Sequence, residues 1–168
     1  MDLPQISHEP RQLLVGAVLM VATGIFQTFG VVVLEEFADR HRERVARNMT
    51  RLQMLGTLSS VICYLFALHL LEMCLWAVVL GALADYPSFA TSLYESALAF
   101  TTMDTAELPP QWQFLSAAEA ITGLLMLAWS TSVLFNQTSW VTEARRKYLR
   151  KHHLFGSREP DLGAPTAP

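Results

Sequence analysis

Two acidic side chains, Asp104 and Glu107, lie in a short stretch that separates two long apolar runs. The stretch reads FTTMDTAELPPQW and contains no lysine or arginine, and neither residue type occurs anywhere between Leu52 and Ala144. Carboxylate oxygens are the donors that Ca²⁺ and Mg²⁺ take in proteins. Without a nearby base to neutralise them, Asp104 and Glu107 are candidate cation ligands.

The elements that must position these two acids are long and apolar. Of the 168 residues, 52% are hydrophobic and 16% charged, whereas a soluble domain carries about 25% charged residues. The runs 13–34, 52–84 and 114–141 are interrupted only by Glu72 and Glu119. Each is long enough to cross a hydrocarbon core of about 30 Å at about 1.5 Å per residue. We therefore expect an all-α membrane protein with three transmembrane helices rather than a soluble globule.

The basic residues predict the orientation. Of twelve lysines and arginines, one lies in the N-terminal tail, five lie within 35–53 and six follow Trp140. The positive-inside rule then places the connector 36–53 and the tail 142–168 in the cytoplasm and the tail 1–11 outside. The prediction is a multi-pass protein of the cell (inner) membrane. Because residues 1–11 lack the basic region of a signal peptide, 12–35 is interpreted as a retained transmembrane helix.

The segment 87–102, between the second and third runs, has helical features but is too short to span. Ser88 is a suitable N-cap, and Phe89, Leu93, Ala97 and Phe100 recur at helical spacing. About fifteen residues cover roughly 22 Å, less than a bilayer core. Periodicity leaves two interpretations open: a re-entrant helix that enters the membrane and returns, or an amphipathic surface helix followed by a loop.

The sequence LYESALAFTTMDTAEL resembles the pore helix and filter of the potassium-channel pore module, whose pattern is aromatic-x-S-x-x-T-x-T-T-x-G-Y-G-D. The matching positions are Tyr94, Ser96, Thr101, Thr102 and Glu107. The resemblance favours the re-entrant interpretation of 87–102.

The flanking sequences are similar to the same superfamily, in its small bacterial members. HLLEMCLWAVVLGALADYPSFATSLY resembles their outer helix and pore entry. LPPQWQFLSAAEAITGLLMLAWSTSVLF resembles their inner helix, and the similar positions there are Pro109, Trp112, Glu119, Gly123 and Trp129. The resemblance implies a pore-module-like domain over 54–141, with an outer helix 54–84, a pore helix 88–102, a filter-like loop 103–110 and an inner helix 112–141. It also implies a homotetramer, with the first helix outside the module.

The chain departs from the family at the filter, where Asp104, Thr105 and Ala106 replace Gly-Tyr-Gly. The glycines allow left-handed backbone, which aims successive carbonyls at the ion, whereas alanine and threonine tolerate that conformation poorly. A potassium-type carbonyl filter is therefore not expected. Four copies around one axis would instead form a carboxylate ring at Asp104. Two charges about 5 Å apart repel by roughly 3 kcal/mol at a dielectric of about 20, so the ring favours a bound cation or a proton.

The functional prediction is a tetrameric cation channel with an acidic filter, non-selective or interacting with divalent ions. Its ion pathway comprises Thr101, Thr102, Met103, Asp104, Thr105, Ala106 and Glu107, with Asp104 and Glu107 as the cation ligands. K⁺, Na⁺, Ca²⁺ and Mg²⁺ are the candidate ions. The alternative is a non-conducting membrane protein, or a regulatory subunit, that retains the pore scaffold.

Four further residues are candidates for structural or gating roles. Glu72, Glu95 and Glu119 are predicted to be buried carboxylates, since an ionised group deep in lipid costs about 3 kcal/mol and should face protein, water or a partner. For Glu72 a proton relay and a structural hydrogen bond both remain open, and Glu119 is expected to point at the pore helix or at Glu95. Gly123 is either a gating hinge, as the resemblance implies, or a site of close helix packing.

Other function classes receive no support from the sequence. No nucleophile with a base, no metal-ligand cluster and no protease signature suggests an enzyme. We expect membrane lipids as partners, and neither a cofactor, a nucleic-acid partner nor a ligand-binding domain. The tail 142–168 is predicted to be basic at first and disordered at its end.

Overall fold

The structure is a computed structural model that describes residues 10–47, 50–104, 106 and 108–156. Within these residues the regular elements are helices: α1 Pro10–Arg47, α2 Arg51–Ala84, α3 Phe89–Phe100, a 3₁₀ turn Pro110–Trp112 and α4 Gln113–Gly156. Three of them contain stretches long and apolar enough to cross a membrane, at Pro10–Arg40, Arg51–Ala84 and Gln113–Arg150. The prediction of an all-helical chain with three potential spans is confirmed.

The helix ends differ in places from the sequence prediction. Helix α1 continues without a break to Arg47, through most of the predicted connector, and α4 continues to Gly156 instead of ending at 141. Helix α2 begins at a capping box, in which Gln53 N donates to the Thr50 hydroxyl and Thr50 N donates to Gln53 Oε1. The tail residues 1–9 and 157–168 lie outside the described residues.

Helix α1 is apolar on its outer face, and on its inner face five of the seven buried residues are small or polar. Its outward side chains include Leu14, Ile25 and Phe29, each about two-thirds exposed (66–67%). Its buried positions recur at spacings of three or four residues: Gln12, Gly16, Leu19, Thr23, Gln27, Gly30 and Leu34. Small residues and hydrogen-bonding side chains are what membrane helices use to pack together, because lipid already satisfies their large apolar side chains.

Helices α1 and α4 run parallel and in register. Phe114 N donates to Gln12 Oε1 at 3.3 Å. Further along, Gln27 Nε2 donates to Ser130 Oγ at 2.9 Å and Gln137 Nε2 donates to Glu35 Oε1 at 3.0 Å. The offset between partners is therefore 102 or 103 residues at all three levels.

Helix α2 runs in the opposite direction. Tyr64 donates its hydroxyl hydrogen to the Gly30 carbonyl at 2.8 Å, and Trp76 Nε1 donates to Thr23 Oγ1 at 3.0 Å, so rising numbers on α2 meet falling numbers on α1. The main apolar core lies where α2 ends and α4 begins, and it includes Trp76, Leu80 and Leu115.

Helix α3 packs between α2 and α4, antiparallel to the first and parallel to the second. On α2, Ser92 lies beside Gly81 and Ser96 bonds to the Met73 carbonyl. On α4, Ser96 contacts Glu119 and Phe100 contacts Gly123. The end of α3 therefore lies against a point ten residues into α4, about 15 Å along that helix.

Candidate functional site

The start of helix α3 is determined by a turn at Asp85 and an N-cap at Ser88. Asp85 ends α2 in the left-handed conformation at φ 54° and ψ 43°, which turns the chain back. Ser88 then accepts a hydrogen bond from Thr91 N at 3.2 Å, satisfying one of the free N–H groups of the first turn. The helix runs for 12 residues and ends at Phe100, two residues earlier than the sequence predicted.

The C-terminus of α3 closes in a Schellman motif. Thr102 N donates to the Ala99 carbonyl at 3.0 Å, and Met103 N donates to the Leu98 carbonyl at 2.9 Å. This closure requires a left-handed residue, and that residue is Thr102 at φ 58°. Asp104 N, at 3.4 Å, also points at the Leu98 carbonyl. The residue with the strained left-handed backbone is therefore Thr102, which is β-branched, and not Asp104.

The four residues after α3, 101–104, form an exposed tip, which we call the α3 tip. All four are exposed, and Met103 reaches 81%. Their hydroxyl, carboxyl and thioether groups lie at the negative end of the α3 dipole. The predicted pathway residues Thr101, Thr102, Met103 and Asp104 are thus brought together on one surface.

The remaining predicted pathway residues do not lie on the α3 tip, as far as the structure describes them. Ala106 is buried in the apolar core, and its N–H donates to Ser116 Oγ on α4 at 2.9 Å. Leu108 is buried in the same core. Thr105 and Glu107 lie outside the described residues. The chain therefore returns from the level of Gly123 to the level of Ser116 within about six residues of Phe100.

Gly123 is a point of close backbone approach. A Cβ built on it would lie 2.0 Å from the Phe100 carbonyl oxygen and 2.9 Å from its carbon. Only glycine allows this approach, since any side chain would overlap the backbone of α3. Of the two roles predicted for Gly123, this geometry favours close packing, and the hinge stays a prediction.

Glu119 lies one helical turn before Gly123 and is completely buried. Its Oε1 lies 2.5 Å from Ser96 Oγ, and Ser96 Oγ lies 3.0 Å from the Met73 carbonyl. Of the two directions expected for Glu119, this is the one towards the short helix. Glu95, next to Ser96, is half-buried.

Glu72 belongs to a buried polar chain that joins all three long helices. Glu72 Oε2 lies 2.8 Å from His69 Nδ1, and His69 Nε2 lies 3.0 Å from Ser130 Oγ. Ser130 also accepts from Gln27 on α1. The sequence singled out Glu72 as a buried carboxylate, but it gave no indication of the roles of Gln27 and Ser130. Gln27 is the one amide side chain in its apolar run, but Ser130 is one of several hydroxyl residues in its own, and the sequence does not show that the two meet.

No metal cluster is formed by the described residues of a single chain. They contain no group of three or more histidine, cysteine, aspartate or glutamate side chains placed to hold a metal ion. The predicted cation site is of another kind, because it takes one carboxylate from each of four copies.

Comparison with protein-family models, curated proteins and solved structures finds no match to this chain. The resemblance to the potassium-channel pore module stays a prediction carried by the residues quoted above.

Proposed function

We propose that this protein is a homotetrameric cation channel whose ion pathway passes the Asp104 carboxylates instead of a potassium-type carbonyl filter. The observation that carries the proposal is the α3 tip: four exposed polar or thioether residues at the end of a short helix that is packed deep between two potential spans. In this proposal α4 lies nearest the axis and α1 lies outside.

The depth of α3 supports a re-entrant arrangement. At about 1.5 Å per residue its 12 residues extend about 18 Å, too short for a core of about 30 Å. Its contacts move from Gly81 to Met73 on α2 and reach Gly123 on α4, and the chain then returns to Ser116. Non-helical backbone at that depth is tolerated where it lines a water-filled cavity or is buried in protein. In the proposed tetramer the four exposed tips would face a shared water-filled cavity around the axis, which is the first of these conditions.

The charge distribution supports cations as the permeating species. The outer segment carries Asp85, Glu95 and Asp104 without a base, and the C-terminal end of α3 adds a partial negative charge. Rings of acidic side chains recruit cations in pores that lack carbonyl filters. Repulsion of roughly 3 kcal/mol between neighbouring carboxylates about 5 Å apart is relieved by a bound cation.

The backbone of the α3 tip argues against potassium selectivity. Stacked carbonyl rings need an extended strand whose carbonyls all face the axis. Here Met103 N and Asp104 N both turn back to the Leu98 carbonyl, and the left-handed residue is Thr102. We therefore propose a non-selective or divalent-interacting pore.

One observation favours the alternative, a non-conducting protein that keeps the scaffold. In the Schellman motif the N–H groups of Thr102 and Met103 bond to carbonyls of α3 itself, so the helix end is stable without a bound ion. The two functions differ in whether water and cations pass Asp104.

We further propose that the protein lies in the cell (inner) membrane with its N-terminus outside and its C-terminus in the cytoplasm. Parallel α1 and α4 with antiparallel α2 put the two ends of a three-span chain on opposite sides. The basic residues within 35–53 and after Trp140 indicate which side is cytoplasmic.

The test is cation flux into liposomes containing the purified protein, with Asp104→Asn compared with Asp85→Asn. Asp85 is a matched control: it is exposed, carries the same charge and lies outside the α3 tip, and asparagine suits its left-handed backbone. Asp104→Asn should weaken block by Ca²⁺ several-fold, while Asp85→Asn should resemble wild type. Absence of flux from wild type in correctly folded tetramers would leave the non-conducting alternative.

A further inference from the structure

Ser96 bridges three helices with a single hydroxyl hydrogen. Its oxygen lies 3.0 Å from the Met73 carbonyl of α2 and 2.5 Å from Glu119 Oε1 of α4. A carbonyl oxygen can only accept, and a hydroxyl donates one hydrogen bond. If Ser96 donates to Met73, the hydrogen in the 2.5 Å contact must come from Glu119.

The surroundings of Glu119 do not favour a negative charge. Glu119 is completely buried, and no lysine or arginine occurs between Leu52 and Ala144 to pair with it. Its partner Ser96 lies in the last turns of α3, four residues before the negative C-terminal end of that helix. The second carboxyl oxygen of Glu119, Oε2, is buried and has no hydrogen-bond partner among the residues that the structure describes. A carboxylate there would be a buried anion with one bare oxygen, whereas a neutral acid needs only the bond to Ser96.

We propose that Glu119 is the neutral acid and donates a hydrogen bond to Ser96, which in turn donates to the Met73 carbonyl. This relay fixes α3 between α2 and α4 one helical turn before the contact of Phe100 with Gly123. Glu119 is therefore a positioning residue for the α3 tip. The hydrogen-bond assignment stands on the contacts alone, and its consequence for the ion pathway rests on the proposed function.

The decisive variant is Glu119→Gln, since its amide nitrogen can donate to Ser96 in place of the acid. Infrared spectra of protein labelled with ¹³C-glutamate, in liposomes at neutral pH, should contain a label-sensitive band of a protonated carboxyl group. In a Glu72→Gln background, which removes the other glutamate that the structure describes as completely buried, Glu119→Gln should remove that band, and Glu95→Gln, the control one residue from Ser96, should keep it. Absence of the band in wild type, or its persistence in Glu119→Gln in that background, would overturn the assignment.

Positioning is tested separately, by the rate at which a water-soluble maleimide labels Met103→Cys in a background without the two native cysteines. The rate should be unchanged with Glu119→Gln and changed several-fold with Glu119→Ala. Ser96→Ala serves as a second disruptive variant in case Glu119→Ala does not fold. Equal rates in all folded variants would contradict the positioning role.

These readouts separate the inference from the proposed function. The band and the labelling rates do not depend on conduction, so both can hold in a protein without cation flux. Conversely, cation flux together with an infrared spectrum that does not depend on Glu119 would support the proposed channel and contradict the hydrogen-bond relay.

Discussion

The contact between Gly123 and Phe100 predicts a graded series of glycine-to-alanine substitutions. In Gly123→Ala the new Cβ would lie 2.0 Å from a backbone oxygen. Carbon and oxygen normally approach to about 3.3 Å, so the overlap is about 1.3 Å and one of the two helices must move. Overpacking costs typically 1–3 kcal/mol, and a clash of backbone with a Cβ belongs near about 3 kcal/mol.

Two other glycines calibrate the prediction. At Gly24 a Cβ meets nothing within 4 Å, so Gly24→Ala should gain up to about 1 kcal/mol from helix propensity. At Gly30 the Cβ would lie 2.6 Å from Leu68 Cδ2, the end of a flexible side chain that can rotate away. Gly30→Ala should therefore fall between the other two. For Gly123→Ala the same propensity gain offsets part of the clash and leaves a net loss of about 2 kcal/mol.

The assay is thermal unfolding in one detergent at one scan rate, followed by circular dichroism. A loss of about 2 kcal/mol corresponds to a fall of about 4–8 °C for a chain of this size. The expected order of midpoints is Gly24→Ala at or above wild type, then Gly30→Ala, then Gly123→Ala. If Gly123→Ala unfolds at the wild-type temperature, α3 does not approach α4 as closely as described. The end of α3 would then not be fixed at the level of Gly123.

Two further predictions concern assembly and the buried polar chain. A cysteine at Leu125, on the exposed face of α4, should cross-link between subunits, whereas a cysteine at Val21, on the outward face of α1, should not. The reverse pattern would contradict the proposal that α4 lies nearest the axis. Ser130→Ala leaves the Gln27 amide and His69 Nε2 without their shared partner and should cost about 1–3 kcal/mol. Thr131→Ala is its control, because that side chain is exposed and bonds only within its own helix, and equal midpoints for the two variants would contradict the importance of the chain.

The long helices were predictable because their signal is local. A charge-free run of twenty or more residues predicts a span wherever it packs, and Ser88 before a periodic apolar pattern predicts the start of α3. The end of α3 was less predictable. The substitution of the family's glycines at 104–106 predicted that a potassium-type filter backbone would not form there, but it did not predict that the left-handed residue would be Thr102. That position depends on where the helix stops, and the stop coincides with a long-range contact between Phe100 and Gly123.

The site environment was predictable in part for the same reason. Burial of Glu72 and Glu119 follows from the cost of charge in lipid, and both are completely buried. Their partners could not be read from the sequence, because Ser96 and Ser130 are common residues whose importance comes from tertiary position. Glu72 meets His69 on its own helix, a spacing of three that the sequence does display, while Ser130 lies 61 residues from His69.

The register between α1 and α4 has a mechanical consequence. Three hydrogen bonds join these helices at the levels of Gln12, Gln27 and Glu35, over a length of about 35 Å. If one helix slid by one residue, about 1.5 Å, along the other, all three hydrogen bonds would break at once. The two helices are therefore expected to move together as a rigid pair. The outward face of this helix pair is the apolar surface of α1, which lies against lipid in the arrangement proposed above. In the proposed membrane arrangement, a change in bilayer thickness that shifted the first helix would therefore shift the last helix with it.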